Sequence, residues 1–156
     1  MLLKAYGYIK YNGKEGLKKA SERAVLNSNY LRKRLQEHLD LPYKDLRKHE
    51  FVLSGEKLKE KGLKTVDLAK RLLDYGLHAP TIYFPLLVDE ALMIEPTETE
   101  TKETLDRYAE VIREIMEEDP EILHKAPLNT AVRRVDETKA ARNPIISYKM
   151  REEDQG

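Results

Sequence analysis

Two prolines, a histidine and two aromatics crowd into His78-Ala79-Pro80-Thr81-Ile82-Tyr83-Phe84-Pro85, and no other stretch restricts the backbone of this chain as much. Proline fixes φ and pushes the residue before it toward extended geometry, so His78-Ala79 and Phe84 are held in defined directions. A second extended run, Leu92-Met93-Ile94, ends in Glu95-Pro96-Thr97-Glu98, where a helix is expected to start. A generic core does not need so many restricting residues at one corner. The pattern predicts a shaped surface that meets something, with the rest of the chain as its support.

Residues 2–11 suit a short helix with no N-cap before it, which suggests that the natural element starts upstream. Asn12-Gly13 signals a turn. From about Gly16 to Leu39 apolar or small residues recur at three- and four-residue steps: Leu17, Ala20, Ala24, Ser28, Leu31, Leu35 and Leu39. Such a helix is about 36 Å long, whereas a globule of this size has a radius of gyration of about 15 Å. That length suits a brace between two lobes.

Past Pro42, His49–Leu53 reads as a strand, and Glu56–Lys61 as a solvated turn or irregular helix closed by Gly62. Thr65–Tyr75 reads as a helix with Thr65 as its N-cap, Asp67 in its positive first turn and Gly76 at its left-handed end, so that Leu77 packs back on Leu72. Tyr83–Val88 and Ala91–Ile94 are the next strand candidates, joined by Asp89-Glu90 as a hairpin link. Thr97 and Glu100 match a capping box for a helix reaching about Met116. Asp119-Pro120 stops it and starts a short helix at Glu121–His124, a last short helix covers Asp136–Arg142, and the tail from Arg151 is expected to fray. The order predicts an α+β fold, with helices covering one face of a small, mostly antiparallel sheet.

Lys+Arg and Asp+Glu both number 28, so there is no basic excess of the kind nucleic acid requires. The chain has no cysteine, which removes disulfides, thiol nucleophiles and thiolate metal sites. It has neither a membrane-length apolar run nor a signal-peptide pattern, and a cytoplasmic protein is expected. His38, His49, His78 and His124 make no metal-ligand spacing. His78 is the leading functional candidate: it lies between a helix end and a proline, and an imidazole exchanges protons near neutral pH. The bland alternative is a cap on the preceding helix's carbonyls. Glu95 precedes a proline at a strand end and has no capping role, whereas Glu98 reads as charge complementarity at a helix start. Arg133, Arg134 and Arg142 offer forked donors for a carboxylate or phosphate, with ion pairs to the nearby Asp136 and Glu137 as the competing use. Tyr6, Tyr8, Tyr11 and Tyr30 read as interface aromatics.

Several stretches carry a resemblance. Ala24-Val25-Leu26-Asn27-Ser28-Asn29-Tyr30-Leu31, His49-Glu50-Phe51-Val52, the run from Thr65 to Thr81 with its Asp74-Tyr75-Gly76-Leu77-His78-Ala79-Pro80-Thr81 ending, Leu92-Met93-Ile94-Glu95-Pro96-Thr97-Glu98-Thr99-Glu100 and Asp136–Arg142 resemble segments of the glycine cleavage system P-protein. That protein is the pyridoxal-phosphate-dependent glycine dehydrogenase (decarboxylating). The match covers about residues 2 to 146 and favours subunit 2 of the split form, C-terminal domain only.

The resemblance implies the small C-terminal domain of a fold-type-I pyridoxal-phosphate enzyme. Residues 1–40 would be linking helices to the large domain, 41–148 the small α+β domain and 149–156 a frayed tail. The whole enzyme would be an oxidoreductase of glycine catabolism that decarboxylates glycine and passes the aminomethyl group to lipoyl H-protein. Its expected partners are the large domain of the same subunit, subunit 1 and H-protein, with no nucleic acid and no membrane. The family's Schiff-base lysine belongs to an upstream segment that this chain does not match. No catalytic residue, no metal and no bound cofactor are therefore expected in these 156 residues, and the chain alone is expected to be inactive. His78, Pro80, Thr81 and Glu95 are the candidates to face the cofactor cleft. The competing expectation is a free-standing, non-catalytic interaction or scaffold domain derived from that enzyme.

Overall fold

The structure is a computed structural model and describes residues 1–150; the residues of the tail from 151 to 156 lie outside the described residues. Helix α1 runs Leu2–Leu35, with a kink where Gly13 takes φ 60°. The Asn12-Gly13 signal thus marks a real break, and Asn12 Nδ2 donates back to Tyr8 O at 2.9 Å. Before the kink α1 stands exposed. Beyond it Leu31 and Leu35 enter the core, and Leu39 follows them there although the helix ends at Leu35 rather than at 39.

Strand β1 is Phe51–Ser54, α2 is Thr65–Asp74, β2 is Thr81–Ile82 and β3 is Ala91–Ile94. The sheet order is β1-β3-β2 and both pairings are antiparallel, with Phe51 opposite Ile94 and Thr81 opposite Met93. Helix α3 is Lys102–Glu117, α4 is Pro120–Lys125 and α5 is Glu137–Arg142. Phe51, Leu53, Leu92 and Ile94 of the sheet join Leu31, Leu35, Leu68, Leu72, Ile112 and Ile115 of the helices in one apolar core. This is the expected α+β arrangement. Residues 56–61 form a 3-10 helix closed by Gly62.

Three local expectations are corrected. The run Tyr83–Val88 is not a strand: β2 stops at Ile82, and the connection to β3 is a loop, not a tight hairpin over Asp89-Glu90. Tyr83 takes φ 59° and Glu90 φ 49°, which turn the backbone out of the ladder, and Pro85 has no N–H to offer it. The N-cap of α2 is Lys64, not Thr65; the Asp67 carboxylate accepts from Lys64 N at 2.7 Å. Thr65 is drawn inward instead, its N–H donating to Glu90 Oε2 at 2.7 Å and its hydroxyl to Glu90 O at 2.8 Å. Helix α3 starts after Thr101, whose hydroxyl accepts from Thr104 N at 3.2 Å, so the Thr97 capping box does not form.

Helix α2 ends as its sequence predicts. Gly76 takes φ 71°, Gly76 N donates to Leu73 O at 3.0 Å and Leu77 N to Leu72 O at 3.1 Å. Those two bonds form the Schellman closure that aims the chain at His78. A Cβ at Gly76 would meet no atom within 4 Å, so only the left-handed backbone opposes a side chain there. Gly76→Ala is expected to cost about 1 kcal/mol in urea unfolding. No change in midpoint would show that the turn tolerates an ordinary residue.

Candidate functional site

The closure at Gly76 and the exit of β3 bring two corners together. Between them lies a hollow of about 340 Å³. Leu31, Leu77 and Tyr108 supply apolar wall, and His78, Pro80, Glu95 and Glu100 line it as well. Burial holds the Tyr108 phenol well above its ordinary pKa, so it stays protonated in this wall. His78 and Glu95 are both exposed, while Pro96 between the strand and the following loop is buried. Three of the four candidates, His78, Pro80 and Glu95, therefore converge. Thr81 does not line the hollow; it is exposed on β2 opposite Met93.

Glu95 also borders a second groove, of about 660 Å³, with Tyr8, Lys48, His49 and Glu98. There His49 Nε2 lies 4.0 Å from Glu95 Oε1. Tyr8 donates its hydroxyl to Glu98 Oε1 at 3.1 Å, and that bond raises the phenol's pKa. Glu98 thus precedes α3 and serves the N-terminal part of α1, not a helix start.

Two residues that the sequence presents only as part of a motif hold the corner in place. Asn27 Nδ2 donates to Thr97 O at 2.8 Å and to Glu100 O at 3.1 Å, tying the loop after Glu95 to α1. Asn29 accepts from Arg47 N at 3.0 Å and donates to Arg47 O at 2.6 Å, tying down the segment before His49. Asparagine inside a helix is a poor helix former. Two of them flanking a buried Ser28 are the signal that could have found this tie.

Of the three arginines, Arg133 and Arg134 serve structure, while Arg142 is exposed at the end of α5. Arg134 donates to Asp67 Oδ1 at 2.6 Å and to the carbonyls of Leu123 and Ala126. Its partner is Asp67 and not the neighbouring Asp136 or Glu137. Arg133 donates to Pro127 O at 2.9 Å. Of the tyrosines, Tyr30 donates to Asp106, while Tyr6 and Tyr11 are exposed.

Among the described residues no three His, Asp or Glu side chains converge as metal ligands. The hollow does not by itself fit pyridoxal phosphate. No lysine lines it, and Glu95 and Glu100 would oppose a phosphate. Lys48 in the adjoining groove is exposed, not the enclosed amine that carbonyl chemistry uses.

The comparisons with known proteins point one way. The family model described as "Glycine dehydrogenase, C-terminal domain" matches residues 20–135. A probable glycine dehydrogenase (decarboxylating) subunit 2 of Shouchella clausii is 55% identical over 97% of this chain and 31% of that protein. Proteins of the same name from Pyrococcus horikoshii and Thermotoga petrophila are 58% and 53% identical, over 98% and 96% of this chain and 32% of each of those proteins. The chain thus spans about a third of the length of the curated relatives it matches. A crystal structure of glycine decarboxylase (P-protein) of the glycine cleavage system, in inhibitor-bound form, shares the fold with a TM-score of 0.58 and 21% identity, over 69% of this chain and 24% of that one. By sequence and by fold, the chain belongs to the glycine dehydrogenase C-terminal domain family.

Proposed function

We propose that this chain is the C-terminal part of a glycine dehydrogenase (decarboxylating) subunit 2 and forms one wall of the cleft in which glycine loses its carboxylate. The observation that carries the reading is the convergence of His78, Pro80 and Glu95 on one hollow, in a chain more than half identical to proteins of that name. The rest of such a subunit would hold pyridoxal phosphate, whose ring supplies the electron sink for decarboxylation. This chain's own contribution is a wall. Leu31, Leu77 and Tyr108 keep water from one side, and His78 donates a hydrogen bond to the anionic end of the substrate. Glu95 and Glu100 would make this wall unfavourable for a phosphate, which the rest of the subunit would have to hold. Subunit 1 and lipoyl H-protein are the partners the reading implies, and the cytoplasm is the compartment. Leu2, Leu3, Ile9 and Tyr11 on the exposed first part of α1 give the remaining two thirds of the subunit an apolar surface to cover.

The test is His78→Ala in the full subunit, assembled with its partners. It is expected to lower kcat/KM for carbon dioxide release about 100-fold. His78 is exposed, so thermal stability is expected to stay level. Wild-type kinetics would remove His78 from the cleft.

A further inference from the structure

We infer that Arg32 is the centre of an oxyanion site on α1, receiving a carboxylate or phosphate group that this chain does not supply. Arg32 follows Leu31 by about 100° around the helix and so serves a different face from the hollow beside His78. Its residue is only 8% exposed. Nη1 donates to Lys44 O at 3.0 Å, whereas the enclosed Nε has no acceptor. No carboxylate among the described residues pairs with the guanidinium. Enclosing an arginine without a counter-charge is one of the costliest burials a chain can make.

The surroundings supply room for the missing anion. Arg32 lines a concavity of about 780 Å³ together with Lys33 and Lys44, neither of which has an ion-pair partner among the described residues. Asp40 also lines it but is neutralised by Lys57 Nζ at 2.7 Å. Glu37 and Glu56 complete its charged groups; both are exposed, and neither pairs with Arg32. With Asp40 neutralised by Lys57 and Glu56 also acting on Lys59, the three cations of the concavity, one of them enclosed, outnumber the carboxylates left to offset them. A guanidinium matches the oxygens of a carboxylate or phosphate better than any other side chain. The group arrives either as a free anion or as an acidic side chain from the remaining two thirds of the subunit.

The experiment separates the two sources. The full subunit is melted as wild type and as Arg32→Met, which keeps the apolar stem and removes the charge. The buffers are low chloride, high chloride, and inorganic phosphate at the ionic strength of the high-chloride buffer. For a free anion, phosphate is expected to raise the wild-type melting temperature saturably by about 2 °C or more and to leave Arg32→Met unmoved. For a protein carboxylate, phosphate is expected to do nothing specific. Arg32→Met then melts about 2 °C or more below wild type in low chloride, and the gap narrows in high chloride. The proposal is overturned if phosphate has no specific effect and the gap is absent, reversed or indifferent to chloride, because lost packing and the lost Lys44 bond would then account for everything. Arg32→Lys, which keeps charge without the planar fork, is expected to fall between the two proteins and serves if Arg32→Met does not fold. The readout is stability and not glycine turnover, so a failure here leaves the cleft of His78 untouched.

Discussion

Carboxyl-labelled glycine mixed with pyridoxal phosphate and these 156 residues alone is expected to release no carbon dioxide above the slow background of the free cofactor. The cofactor works in such enzymes when an enclosed lysine amine holds it and the surrounding dipoles orient it. The hollow beside His78 offers neither: its polar groups are an imidazole, hydroxyls and the carboxylates of Glu95 and Glu100. Lys48, in the groove beyond Glu95, is exposed rather than enclosed. On the proposed function, supplying the remaining part of a subunit 2, together with subunit 1 and lipoyl H-protein, is expected to start the reaction. Turnover by the chain alone would mean that a catalytic amine lies among these residues, and the proposed division of labour would be wrong.

The same corner shows what the sequence could and could not carry. Local signals worked where the interaction they report is local. Gly76 closes α2 because the turn needs a left-handed residue, and Asp119-Pro120 opens α4 because its carboxylate accepts from Glu121 N at 2.9 Å. They failed where a distant partner decides. Thr97 and Glu100 have the spacing of a capping box, yet Asn27, far away in the chain, takes both of their carbonyl oxygens and fixes them in a loop. Thr101 then becomes the cap. The apolar run after Ile82 had strand composition, but a strand requires a ladder to join. Phe84, Leu86 and Leu87 instead stand exposed at the tip of the connection to β3. Thr81 shared a motif with His78 but not a surface: it begins β2 and is exposed opposite Met93.

Phe51→Ala is expected to destabilise the chain by about 4 kcal/mol, because it empties the largest fully buried side chain of the core. Val52→Ala, one residue along, is expected to lose about 1 kcal/mol. Both changes weaken the same strand and remove comparable backbone preference for β structure, so the contrast isolates the face. Phe51 is 1% exposed and sits opposite Ile94, while Val52 is half-buried opposite Met93 on the other side of the pleat. The ring of Phe51 therefore fills volume in the core it shares with Leu35, Leu72 and Ile112, and the cavity adds to the lost transfer energy. Because Ile94 directly precedes Glu95, relaxation toward that cavity is expected to displace the carboxylate that lines the hollow. In the assembled enzyme, Phe51→Ala is thus expected to lower glycine decarboxylation even at temperatures where the domain stays folded, while Val52→Ala leaves it near wild type. Urea unfolding read beside the initial rate of carbon dioxide release measures both. Equal losses for the two variants would show that the strand is held by its ladder alone and that the core does not position the corner.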